Sequence, residues 1–348
     1  MNTTVSCTLL CTNEEHAAGL EKLTRQWFSH MERRFSRFLP DSELTHLNLM
    51  TGELCMVSAT MLEVLTLADA FRRLTDGVFN PFILHTLLEY GYNESFEHIR
   101  SRTSEVIEQP DAHIGADSSV IPHAANKSAA LRAGVDSIHP QLGDQAIIID
   151  AAMQSVRLPP GSSIDLGGIV KGWAVRRLAA LLRSRHGVKQ GFINAGGDLA
   201  LWGAQAEPWK IAVDYPWPSS EAAGHLILQE GAVATSGTLG RRWQSYQGTA
   251  HHLINPFTKR PSSSDVLQCT VTGDDTAACD IWAKTICILG SAEGLALMQR
   301  KTADCGALLI LKDGTTLLYN HPHSCRERRE QWRHTSSDRM YVPDKNWR

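Results

Sequence analysis

The chain has 348 residues, a formal net charge of −3 and a hydrophobic fraction of 43%. That suits a soluble globular protein of one large domain, or of two lobes around one cleft. The near-neutral charge gives no general pull toward nucleic acid or anionic membrane, and no apolar run reaches the length of a membrane span. The first segment, MNTTVSCTLLC, alternates like a strand. It has no basic n-region and no small-residue cleavage site, so it does not read as a signal peptide. The 8 cysteines form no CxxC pair, and several sit in apolar surroundings. They predict buried, reduced thiols in a cytoplasmic protein.

Glu14–Arg37 has helical spacing, with Ala17, Leu20, Leu23, Trp27 and Met31 on one face. Pro40 stops the next extended segment, and Asp41 or Ser42 can cap a short helix that contains Glu43. Ser58–Thr75 predicts a strong helix ended by Asp76-Gly77, and NPFILHTLLEYGY a short helix and loop. Residues 93–140 predict a helix, a loop and weak strands. Ala146–Ile149 and Ser155–Leu158 predict a hairpin leading through PPGSS to Ile164. After a long helix, GFINAGGDLALWG reads as strand, glycine turn, strand, and the runs from WKIAVDYP to AVATSG continue an antiparallel sheet. Thr276–Leu289 and Ala292–Arg300 predict helices, and ALLILKDGTTLLYN a hairpin with a DG turn. Residues 321–348 are polar and read as a peripheral tail; Cys325, His321 and His323 lie there and read as solvated rather than metal-bound.

The stretch Ile164–Ala174, IDLGGIVKGWA, is the most informative. A strand end delivers Asp165, two glycines follow, and Lys171 opens a helix running toward Gly187. A helix start offers free N–H groups and a positive dipole end to an anion, and glycines admit close backbone approach. The pattern predicts a phosphate-bearing ligand at this turn, with Asp165 beside a ribose hydroxyl, an adenine amine or a metal.

FSRFLPDSELTHLN, DGVFNPF, IDLGGIVKGWAV, FINAGGDLALWG, AVATSG and HHLINPFTKRP follow one another in the order of the ApbE family, which the chain resembles from Met1 to about Gly306. These are FAD:protein FMN transferases. The resemblance implies a single α+β domain over residues 1–320, two-lobed, with mixed or antiparallel sheets flanked by helices and a central FAD cleft. It implies transfer of FMN from FAD to a Thr or Ser hydroxyl of an acceptor flavoprotein with release of AMP, with no nucleic-acid partner and no membrane insertion. Carried over by motif, the FAD contacts are Met1, Phe38, Tyr90, Gly91, Tyr92, Asp165, Lys171 and Ile254. His252 and Asp280 are the implied catalytic residues, His252 as base or orienting group and His251 as its neighbouring rival.

The implied Mg²⁺ site draws on Gly168, Asp280 and the residue four places after Asp280. That residue is Lys284, a non-ligand, and Asn255 stands where the family carries an aspartate. Thr285 lies about 100° further around the helix. Lys284 can pair with Asp280 and reach a phosphate oxygen, or swing away and leave Mg²⁺ to Asp280, carbonyls and water. An FAD-binding protein without transfer and an FAD pyrophosphatase are the alternative functions.

Overall fold

The computed structural model describes residues 3–99, 146–204, 207–302, 304–319, 331–334 and 339–340. Met1, the weak elements expected between 100 and 140, and the His321–Cys325 stretch lie outside the described residues.

Helix α1 (Glu14–Phe35) starts where the Asn13 side chain accepts from the His16 amide, with Glu14 and Glu15 in its first turn and Arg33 and Arg34 in its last. Each sign complements the dipole end it sits on. Ser42 caps α2 (Glu43–Leu49) and Ser58 caps α3 (Ala59–Leu74). Glu43 also accepts from the Ser58 amide and pairs with Arg34 at 3.0 Å, tying the three helices at one corner. The chain leaves α3 through Asp76 and Gly77, both at positive φ. It then makes a 3-10 turn, Pro81–Ile83, and α4 (Leu84–Glu89). Ile148–Asp150 pairs with Ser155–Arg157 as expected, and Cys55–Met56 adds a third strand.

Three more helices follow: α5 (Val170–Arg185), α6 (Thr276–Leu289) and α7 (Ser291–Lys301). They accompany an 8-stranded sheet whose strands lie side by side in chain order, from Val5–Leu9 through Gly191–Ala195, Asp198–Trp202, Gly231–Gly237, Val266–Gly273 and Gly306–Leu311 to Thr316–Tyr319 and Arg339–Met340. Every pairing is antiparallel except the last. On one face Leu178 and Leu182 of α5 pack with Ile193 and Trp202, and Trp282 and Ile286 of α6 pack with Val271 and Leu309. On the other face Leu226 and Leu228 of a 3-stranded sheet cover Leu199, Leu201 and Val233. Asp198–Trp202 is therefore buried throughout, which explains its lack of apolar–polar alternation.

This is the expected α+β class with an antiparallel sheet. Two features differ from the sequence reading. Ile164 is not in a strand. The Asn48 side chain replaces a neighbouring strand, accepting from the Ile164 amide and donating to its carbonyl, both at 2.9 Å. The second feature is the tail, which supplies Gln331–His334 to the smaller sheet and Arg339–Met340 to the larger, completing edges that the sheets would otherwise leave open.

Candidate active site

A cleft of about 1490 Å³ opens between the α1–α2 junction, the Asp165–Lys171 turn, the C-terminal end of the Gly231–Gly237 strand and the His252–Ile254 loop. It exceeds the roughly 300–1,000 Å³ of ordinary small-ligand pockets. One end is aromatic. Phe38 and Tyr92 stand 5.8 Å apart, and Tyr92 lies 4.9 Å from Trp243. The Arg37 guanidinium sits 4.1 Å from the Phe38 ring centre and 4.7 Å from that of Tyr92. Arg37 also donates to the Tyr92 carbonyl at 2.7 Å and pairs with Asp165 at 2.7 Å. Such a shelf suits a flat heteroaromatic ring.

Asp165 has its own structural duty. One carboxylate oxygen accepts from the Gly167 amide at 2.8 Å, and the other takes Arg37. Its amide donates to the Pro81 carbonyl at 2.8 Å. The carboxylate expected to meet ribose, adenine or metal therefore shapes the glycine turn and anchors Arg37. Helix α5 begins at Val170 with no side-chain cap, which leaves its positive end open toward the cleft.

The floor is a buried cluster of alternating charge. Lys171, in the first turn of α5, donates to Asp198, and Lys284 of α6 donates to Asp280. Asp198 and Asp280 are fully buried, and each keeps one carboxylate oxygen without a partner, Oδ1 of Asp198 and Oδ2 of Asp280. Two local devices bring these groups together. Positive φ at Gly196 and Gly197, with Asn194 accepting from the Gly197 amide, starts the next strand at Asp198. Gly172 lets α5 touch α6, because a Cβ there would stand 2.9 Å from Ala277 Cα and from the Thr276 carbonyl. Burial and the nearby Asp280 raise the Asp198 pKa to about 6 against the pull of Lys171. Burial costs Lys171 some affinity for its proton, but Asp198 and Asp280 hold its pKa above the usual lysine value. Burial lowers the pKa of Lys284, and Asp280 opposes that shift.

His252 faces this cluster across the cleft, and its Nδ1 has no partner. Burial, then Arg241, Lys284, His251 and Lys171, hold its pKa well below the usual histidine value. It is a neutral imidazole at pH 7, able to accept a proton. His251 is engaged elsewhere, one ring nitrogen 3.0 Å from the Ser262 carbonyl and the other accepting from the Leu253 amide.

The Mg²⁺ ion that the resemblance implies does not fit these residues. Mg²⁺ needs near-octahedral oxygen ligands at about 2.0–2.1 Å. Here the Lys284 ammonium already occupies Asp280 Oδ1, and its stem runs past Gly168, 3.9 Å from where a Cβ would stand. Among the described residues no group of three or more His, Cys, Asp or Glu could hold a metal instead. Thr285 points away, its hydroxyl donating to the Ile281 carbonyl.

Phe38, Tyr92, Asp165, Gly168, Lys171, His252, Ile254 and Lys284 line the one cleft. Asp280 lies directly behind Lys284. Tyr90 is instead packed with Leu87, Trp243 and Ile254, its carbonyl accepting from the Trp243 indole at 2.7 Å. Gly91 closes the turn after α4 at φ 85. Asn255 takes no part in the charge cluster; it accepts from the Phe257 and Thr258 amides and holds a turn. Sequence reasoning missed Arg37, Arg241 and Asp198. Arg37 stands inside the FSRF block, and Asp198 inside the strand, glycine turn and strand of GFINAGGDLALWG.

The ApbE family model matches residues 1–309. An FAD:protein FMN transferase of Klebsiella pneumoniae is 30% identical over 198 residues, 56% of this chain and 60% of its own length. Another, of Treponema pallidum, is 24% identical over 314 residues, 86% of this chain and 78% of its own. The match to the Klebsiella relative thus spans less than two thirds of that protein. The crystal structure of the ApbE protein of Thermotoga maritima superposes with a TM-score of 0.69 at 21% identity, covering 90% of this chain and 95% of its own. The flavin transferase ApbE of Vibrio cholerae gives 0.66 at 21% identity, covering 94% and 96%. At this identity the two structures speak for the fold alone. The chain, matched over nearly its whole length, belongs to the ApbE family.

Proposed function

We propose that this chain is a flavin transferase that moves FMN from FAD to a Ser or Thr hydroxyl of an acceptor protein and releases AMP. The observation that carries the reading is a neutral, half-buried His252 facing the Lys171 and Lys284 ammonium groups in a cleft with an aromatic shelf. Pyrophosphate transfer needs a proton acceptor for the nucleophile and positive charge on the phosphoryl oxygens. Both line the one cleft.

In this reading a flavin or adenine ring stacks on the Phe38–Tyr92 shelf and the pyrophosphate lies over the start of α5. The acceptor hydroxyl oxygen attacks the FMN phosphorus, and His252 takes its proton. The bond from that phosphorus to the bridging oxygen breaks, and AMP leaves with the oxygen. Lys171 and Lys284 bear on the charge that builds up on the phosphoryl and leaving oxygens. Asp198 and Asp280 hold the two ammoniums in place. The named activity of the Klebsiella and Treponema relatives supports the same reaction.

The test is incubation with FAD and an acceptor domain that a family member flavinylates. Covalent flavin on the acceptor, abolished when its modified hydroxyl residue is replaced by alanine, is the expected result. Bound, intact FAD and an unmodified acceptor under conditions where the family member works would overturn it.

A further inference from the structure

We infer that Lys284 supplies positive charge in place of the Mg²⁺ that the resemblance implies, so that flavin transfer by this chain is metal-independent. The inference rests on the flavin-transfer reading above and deepens it.

Three observations carry it. The Lys284 ammonium is bonded to Asp280, the one carboxylate carried over by motif as a metal ligand. Its stem lies against Gly168, the other implied ligand position, so the lysine fills the space between them. Lys284 also lines the cleft in which the proposed ligand would lie. An ammonium has three donors. With one on Asp280, the others are free to turn toward phosphate oxygens.

The charge pattern points the same way. Asp280 is matched by Lys284 and Asp198 by Lys171, so the floor offers a dication no surplus of negative charge. A Mg²⁺ ion that reached Asp280 would displace Lys284 and leave a buried ammonium beside a double positive charge, a strongly repulsive arrangement at low effective dielectric. A lysine tethered to α6 supplies one charge without loss to chelators, and Lys171 supplies a second nearby.

Two measurements test this, one of them free of activity. Protein with FAD is titrated with Mn²⁺ and free Mn²⁺ is followed by EPR, against FAD alone. Wild type should leave the signal unchanged, while Lys284→Thr, which frees Asp280 and adds a hydroxyl, should take up Mn²⁺. One Mn²⁺ held by wild type beyond what FAD alone binds overturns the inference. In the second measurement the transfer rate of wild type is compared in EDTA and in excess Mg²⁺. The rates should agree within about twofold, and a loss of about 100-fold in EDTA overturns the inference. Neither wild-type arm depends on the variant folding. A protein that transfers no flavin in either buffer defeats the flavin-transfer reading, whereas the Mn²⁺ titration still judges whether Lys284 has displaced the metal.

Discussion

Replacing His252 by alanine should separate chemistry from binding. A general base contributes about 10²–10⁴-fold to rate, which is about 2.7–5.4 kcal/mol of barrier. Burial, then Arg241, Lys284, His251 and Lys171, depress the His252 pKa. The imidazole is therefore a weak base, and the loss should fall in the lower half of that range, about 10²–10³-fold. FAD affinity should change by less than about tenfold, because Nδ1 makes no hydrogen bond that the substitution removes. Rapid-quench measurement of AMP and covalent flavin at saturating FAD gives the first number, and a flavin-fluorescence titration gives the second. The wild-type rate should reach its plateau by the ordinary histidine pKa of about 6.5, fall in more acid solution as His252 is protonated, and fall again in alkaline solution as Lys284, lowered by burial, loses its proton. A variant that transfers at the wild-type rate, or that loses only FAD affinity, refutes the assignment of His252 as base.

Other perturbations probe the frame around it. Arg37→Ala leaves the half-buried Asp165 carboxylate with the Gly167 amide alone and removes the cation over Phe38 and Tyr92; it should cost about 1–3 kcal/mol in urea unfolding and weaken FAD binding. Gly172→Ala drives a Cβ against Ala277 and Thr276 backbone and should cost about 1–3 kcal/mol. Gly19→Ala, in α1 with open space around it, should instead stabilise by about 0.5–1 kcal/mol. Asp198 has a folded pKa near 6, above its unfolded value of 3.8. Its favourable contribution is full below 3.8 and is lost as pH rises through 6, so stability relative to Asp198→Asn should decline across that window by on the order of 3 kcal/mol. His252 has the opposite sign. Its depressed pKa contributes stability that is present above about 6.5 and lost at up to about 1.4 kcal/mol per pH unit as pH falls below it. His252→Ala should show a correspondingly flatter acid limb in urea midpoints.

Features with a local cause were legible in the sequence. Ser42 and Ser58 cap helices because their oxygens reach amides three residues on, and Asp76-Gly77 ends α3 through positive φ. The ordered motifs placed His252, Lys171 and Lys284 on one cleft. Features set by partners far along the chain were not legible. Asp198 reads as the end of a tight turn, and only the contact between α5 and α6 at Gly172 brings Lys171 and Asp280 near it. Arg37 gave no sign that it would meet Asp165, nor Asn48 that it would stand in for a strand beside Ile164. Asn255 looked like a missing charge in the site because spacing cannot tell a cleft residue from a turn residue. The tail's strands depend on sheet edges that its own polar sequence does not announce.

The central claim is that the cleft transfers flavin to protein. The most direct measurement is a single-turnover reaction of FAD-loaded protein with an acceptor domain, counting AMP and covalently bound flavin together. The account predicts that the two appear at the same rate and in equal amounts. AMP accompanied by free FMN, with the acceptor unmodified, would contradict it and make the protein an FAD pyrophosphatase.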